Sequence, residues 1–499
     1  MAAPVERFLA LWGEIANLGH ARALSAWDQE THMPRAGGAA RARLSATLAG
    51  VRHARLVAPE LGAAVERCAE EAEPGSVLAA QVREARRILR RVTRLPERLV
   101  REKAAAASHG HEAWSAARAG KDFALFRPAL ARLLALAREE ADLLAEPGQS
   151  RYEVLLDERE PGAKEPAVAA LLGELARELA PLVHAAGASG RRPDPAAARG
   201  DFPPERQLAF AREVAERFGF DFARGRLDPA PHPFCTGIAR DDVRLTWRAD
   251  AGDFRPALFG ILHETGHGLY EQNLPEEWEH TPIGEAVSLG VHESQSRLWE
   301  NLVARSRAFW SWALPRLHAH FPGARHVTLA RLLPLLHTSE PSLNRVEADQ
   351  GTYDLHVCVR FELERALISG ALEVGDLPAA WDAAYARTLG LRPRDAAEGV
   401  LQDIHWSMGA FGYFPTYTLG NLIAAQLYAA ARRELGDLDA AFARGEFQPL
   451  HAWLREKIHR HGSFHPAAEL VERATGRPLA SADYLAQRKA DAAEYYGAG

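Results

Sequence analysis

The sequence predicts a mainly α fold with a small β-sheet, and three observations carry that prediction. Over 82–107 ("VREARRILRRVTRLPERLVREKAAAA") and 126–146 ("FRPALARLLALAREEADLLAE"), apolar residues recur three and four apart between charged ones. That spacing puts them on one stripe of an amphipathic helix. The residues that fill these stretches, alanine, leucine, arginine and glutamate, are strong helix formers, so propensity agrees with pattern. Only "DVRLTWR", 242–248, shows clear period two, with Val243, Leu245 and Trp247 alternating with Arg244, Thr246 and Arg248.

In chain order, a helical amino-terminal lobe over residues 1–200 leads into a second lobe over 201–499, both expected to form one unit. The joint is the loosest stretch of the chain, "HAAGASGRRPDPAAARGDFPPERQ" at 184–207, rich in Gly, Pro and Asp. After the strand at 242–248 comes a helix that Asp253 can cap and Pro256 can start, with Leu258, Ile261, Leu262 and Leu269 on its apolar face. "GEAVSLGVHESQSRLWENLVARS", 284–306, predicts the next long helix. No repeat of fixed period occurs.

Composition narrows the function class. Of 499 residues, 47% are hydrophobic and 25% charged, enough for a large core. A net charge of −6 gives no reason to expect nucleic acid or an anionic membrane as partner. The three cysteines, Cys68, Cys235 and Cys358, have neither disulfide-framework nor C-x-x-C spacing, which points to a reducing cytoplasm. Glu6, Arg7 and Glu14 interrupt the amino terminus, so it does not read as a signal peptide. No run of about 18 uncharged apolar residues predicts a membrane span.

The chemistry begins at "ILHETGHGLYEQ", 261–272. Four residues along a helix turn about 400°, so His263 and His267 share a face with Cβ atoms about 5–6 Å apart. Both imidazoles then reach one zinc ion at about 2.0–2.1 Å. Glu264 projects to the side, where it can hold a metal-bound water instead of competing for the metal. Chance would produce H-E-x-x-H roughly 0.05 times in a chain of this composition. Gly266 and Gly268 weaken the helix, and a close approach by another chain or a substrate would account for them. A third ligand is required, because catalytic zinc usually takes three protein donors. Spacing leaves both Glu285 and Glu293 open and favours Glu293, with His292 beside it as a support or a core histidine. Glu300 reads as a residue on a solvated helix face.

"HETGH" followed by "GEAVSLGVHESQSR" resembles the carboxypeptidase Taq family of metallocarboxypeptidases. "HPF" at 232–234, "DVRLT" at 242–246, "NRVEAD" at 344–349, "GVLQDIHW" at 399–406 and "GYFPTYTLGN" soon after agree with it, as do "LSAWDQETHMP" and "WLREKIHRHGS" near the two ends. The resemblance spans nearly the whole chain. It implies a largely helical zincin-like fold with a deep central groove, a homodimer, and release of single residues from peptide carboxyl termini. It implies one zinc per chain on His263, His267 and Glu293, with cobalt as a possible substitute, and Glu264 as general base. The family usually has isoleucine or valine where Asn344 stands; Arg345 beside it is present, so an adjusted loop is expected.

Further roles follow from what the reaction needs. An oxyanion donor is sought among Tyr413, Tyr417, His405 and His232, with Tyr413 favoured. A guanidinium suits the terminal carboxylate of the peptide. Among Arg244, Arg297, Arg345 and Arg360 the resemblance favours Arg345; for Arg244 and Arg297 pairing with a neighbouring carboxylate is an equal alternative. His232, Arg244 and Tyr417 complete the expected substrate-binding set. The strand at 242–248 is expected to pair by its edge with extended substrate. The histidines at 109–111 and 459–465 read as structural. Two rival readings are a zinc oligoendopeptidase, which needs no grip on a carboxyl terminus, and a non-catalytic helical peptide-binding protein, which has no need of Glu264.

Overall fold

A computed structural model describes residues 2–498. The chain forms two compact units that interleave along the sequence. The first comprises the stretch ending at Thr93 with Asp194–Leu335 and Gln426–Pro478; the second comprises Arg94–Pro193, Leu336–Ala425 and the stretch from Leu479 on. The amino-terminal 200 residues are thus shared between them, and one crossing falls inside the loose segment read at 184–207. That segment is shorter than expected: helix Glu165–Ala188 runs into it and helix Pro204–Phe218 begins before its end.

In the first unit, helix Arg255–Gln272 packs against helix Pro204–Phe218, helix Leu289–Arg297 and the sheet. It is buried on most of its circumference, which is why its apolar stripe is less distinct than that of a surface helix. The sheet has the order β1 (Gly225–Pro229), β3 (Asp242–Trp247), β2 (Cys235–Ala239). β1 runs parallel to β3, with Gly225 opposite Val243; β2 runs antiparallel, with Cys235 opposite Leu245. β3 is therefore the central strand, and both its edges are taken. This corrects the expectation that residues 242–248 offer an edge to substrate. Thr246 also departs from simple alternation: it is fully buried, its hydroxyl accepting from the Phe234 amide at 2.7 Å and donating to the Phe234 carbonyl at 3.1 Å. β1 and β2 escaped the sequence reading because neither "GRLDP" nor "CTGIA" alternates.

The second unit is helical around one apolar core. Helix Arg127–Leu144 contributes Leu130, Leu133, Leu134, Ala137, Ala141 and Leu144, the predicted stripe, against Leu172 and Leu175 of helix Glu165–Ala188 and Leu355 and Phe361 of helix Tyr353–Ser369. The other predicted helical stretch is two helices, Val77–Arg94, almost all of it in the first unit, and Glu97–Gly120 in the second, broken where Pro96 lacks the amide a continuous helix needs.

Candidate metal centre

Helix Arg255–Gln272 sets the first two donors. Pro256 occupies its first turn, and Asp253, the expected cap, accepts from the Arg255 amide at 2.9 Å from one position ahead of the observed cap residue, Phe254. His263 and His267 lie on one face with ring centroids 4.9 Å apart. Gly266 has its explanation in the fold itself: a Cβ there would stand 2.5 Å from the Gln295 carbonyl oxygen and 2.6 Å from the Ser296 Cα. Neither another chain nor a substrate is what it admits; it is the backbone of the neighbouring helix. Gly268 likewise makes room for Phe220 and Leu245.

That neighbour begins at Leu289, later than predicted, because Ser288 is extended and caps it by accepting from the Val291 amide at 3.1 Å. It ends at Arg297 and continues as a π-helical turn over Leu298–Val303. Glu293 points a carboxylate oxygen to within 3.3 Å of His267 Nε2 and 3.6 Å of His263 Nε2. One donor atom from each of the three residues lies within 4.8 Å of the others, the one such grouping of His, Cys, Asp or Glu among the described residues. Glu285 stands apart from this triad, in the loop before the helix, where it lines a cavity with Arg52 and Glu271.

The remaining ring nitrogens are held in place. His263 Nδ1 lies 2.9 Å from Glu300, and His267 Nδ1 lies 2.5 Å from Nδ1 of His292. Glu300 is buried, not solvated as expected; the π turn carries it inward, where Arg305 donates to it at 3.0 Å. Arg297 donates to Glu293 at 2.7 Å, so the pairing alternative describes it. Both ring Nε2 atoms thus face Glu293 while Nδ1 is engaged elsewhere, an arrangement that fits imidazoles ligating through Nε2.

Burial opposes ionisation throughout, and the outcome depends on neighbours. For His263 the carboxylates of Glu293, Glu300 and Glu264 overcome burial and raise its pKa to about 9. His267, buried and beside His292 and His263, is lowered to about 3. Glu293 is held well below the usual carboxylate range against burial, chiefly by Arg297 and His263, and Glu300 falls to about 2 through His263 and Arg297. Glu264 has no such cation of its own: burial pushes it up to about 7, with His263 pulling it back. It is the carboxyl group here poised to exchange a proton near neutrality.

The other predicted residues fall in two groups. Arg244 and His232 belong to the first unit. Arg244 forks onto Asp242 at 2.8 Å and lies over the Trp27 ring, and His232 is exposed between β1 and β2. Arg345, His405, Tyr413 and Tyr417 gather in the second unit. His405 Nε2 is 3.1 Å from the Tyr417 hydroxyl, and the rings of Tyr413 and Tyr417 are 5.3 Å apart. The Arg345 guanidinium bonds Asp403 at 2.8 Å and the Tyr353 hydroxyl at 2.9 Å, and sits 5.1 Å from the Tyr417 ring centre. Arg360, fully buried, holds the other oxygen of Asp403 at 2.5 Å. Asn344 accepts from the Val346 amide through its side-chain oxygen Oδ1 at 3.1 Å, a local turn that an apolar residue there could not make.

Sequence reasoning missed Glu271 and Asp403 and placed Glu300 on the wrong side of its helix. For Glu271 a signal existed, since it follows His267 by one helical turn. Asp403 sits inside "GVLQDIHW", where only His405 drew notice.

Comparison with known proteins agrees with this geometry. A profile of the carboxypeptidase Taq (M32) metallopeptidases matches residues 7–491. Thermostable carboxypeptidase 1 of Thermus thermophilus is 44% identical, over 99% of each chain. The crystal structure of the M32 carboxypeptidase from Deinococcus radiodurans superposes with a TM-score of 0.95 at 40% identity, over 99% of both chains. Trypanosoma cruzi metallocarboxypeptidase 1 gives 0.93 at 36% identity, over 98% of this chain and 99% of that one.

Proposed function

We infer the working of a chain that belongs to the carboxypeptidase Taq (M32) metallopeptidase family and is accordingly a metallocarboxypeptidase. Zinc is the proposed ion, held by His263, His267 and Glu293, with cobalt able to replace it. The observation that carries this reading is the convergence of those three donors beside a buried Glu264. Two imidazoles and one carboxylate leave a bound divalent ion net positive, and it would supply Lewis-acid polarisation of the scissile carbonyl and the attacking water.

The side chains do the rest. The Glu264 carboxylate takes a proton from the attacking water and passes it to the nitrogen of the leaving amine. In the metal-free chain burial raises its pKa to about 7, so the carboxyl is not locked in one protonation state by a cation of its own. Tyr413 is proposed to donate a hydrogen bond from its hydroxyl to the developing oxyanion, with His405 ordering the tyrosine pair and Tyr417 contacting the substrate. Arg345 is the proposed grip on the free carboxylate of the peptide. Its support is a charge count: Arg345 and Arg360 share the single carboxylate of Asp403, leaving one cation in excess. His232 and Arg244 remain proposed substrate contacts, though the Asp242 pair already engages Arg244. A homodimer working in a reducing cytoplasm completes the reading. Its support is the family resemblance and the free thiols of Cys68, Cys235 and Cys358.

The test joins metal analysis to peptide digestion. About one zinc per chain and release of single carboxyl-terminal residues are expected. Glu264→Gln should keep its zinc and lose roughly 10²-fold or more of kcat; hydrolysis at the parent rate would sink the mechanism. Peptides with an amidated carboxyl terminus should resist cleavage, whereas an oligoendopeptidase would still cut them.

A further inference from the structure

The two histidines are oriented by different routes. His263 Nδ1 meets the Glu300 carboxylate directly at 2.9 Å. His267 Nδ1 meets another imidazole, His292 Nδ1, and His292 Nε2 lies 2.7 Å from Oε1 of Glu271. A neutral imidazole donates from one nitrogen and accepts at the other, so the histidine pair by itself admits two proton arrangements. In one, His267 presents a lone pair at Nε2; in the other, it presents a proton there and is useless as a ligand.

A carboxylate at the end of the chain removes the choice, because it only accepts. With Glu271 accepting, His292 carries its proton on Nε2 and offers a lone pair at Nδ1. His267 must then donate from Nδ1, which leaves Nε2 free towards Glu293. Glu271 thus determines the tautomer of a residue on its own helix by way of a residue on the adjoining one. The fold also reserves space for it. A Cβ at Gly237 of β2 would fall on the Glu271 carboxylate, 2.9 Å from its Cδ.

We propose that Glu271 is a positioning residue which, through His292, holds His267 with Nε2 directed at the metal, and that Gly237 keeps open the space its carboxylate needs. This rests on the three-donor centre proposed above. Glu271→Ala, Glu271→Gln and Gly237→Ala proteins would be stripped of metal and titrated with zinc against a chromophoric chelator, beside the parent. Glu271→Ala should bind zinc 10–100-fold more weakly, the usual range for loss of such a partner. Glu271→Gln should fall between, since its amide oxygen still accepts from His292. Gly237→Ala should weaken zinc in the same direction, because the added methyl displaces only the end of a flexible side chain. Cobalt-loaded variants should show shifted visible bands, while the metal-free proteins melt as the parent does. Parent zinc affinity in both alanine variants overturns the proposal. So does weakening matched by loss of the cooperative metal-free melt in all three variants, which makes the role structural. A parent that takes up no zinc instead overturns the metal centre on which the proposal rests.

Discussion

At the scale of single residues, the centre is a problem of keeping charges where ligation needs them. His263 and His267 are both buried imidazoles on one helix face, yet their pKa values are driven apart, to about 9 and about 3. The difference is that carboxylates surround the first, while His292 and His263 press on the second. A folded pKa raised above the ordinary 6.5 means that the charged ring stabilises the metal-free fold fully below that value. The contribution is lost as pH rises through the folded pKa. Metal-free protein should therefore lose roughly 3 kcal/mol of stability between about pH 7 and about pH 10, read from denaturant unfolding. The zinc-loaded protein should show no such step from this residue, because a ligating imidazole is already neutral. A flat profile in the metal-free protein would refute the assignment.

At the scale of elements, the centre depends on how closely two helices approach. Gly266 lets the backbone at Gln295 and Ser296 lie against helix Arg255–Gln272, and this brings Glu293 to the histidine pair. Gly266→Ala should destabilise by about 1–3 kcal/mol through overpacking and weaken zinc binding as the third ligand is pushed out. Thermal melting and zinc titration check both. The sheet gives a contrasting case. Thr246 ties β3 to the Phe234 backbone, so Thr246→Val, which removes both hydrogen bonds, should cost about 1–3 kcal/mol of stability. KM for short peptides should hardly change, since a central strand has no edge to offer them. A raised KM with unchanged stability would restore the edge-pairing idea.

At the scale of the whole molecule, ligand binding and folding are linked. An ion that binds only the folded chain stabilises it by an amount set by its concentration over Kd, about 4 kcal/mol at a thousandfold excess. Chelation should abolish activity and lower the melting temperature together, and zinc should restore both. Loss of activity without a shift in melting would mean that the ion is not held by the folded centre described here. Among the described residues no helix is long and apolar enough to cross a membrane.

The sequence by itself determined the helical class, the histidine pair with its glutamate, and the family, because each depends on local spacing. A four-residue interval fixes a shared face however the rest of the chain folds, and the stripe through Leu130, Leu133, Leu134 and Ala137 fixes a buried side. It also limited the third ligand to Glu285 or Glu293. Only the tertiary structure decided what depends on distance between segments. It put Glu300, expected in solvent, against His263; placed β3 between two neighbours; and gave Gly266 a backbone to accommodate. Glu271 was legible as a residue one turn past His267, but its bond to His292 was not. Which partner a buried polar group finds depends on the packing of separate helices, and no interval along the chain encodes that.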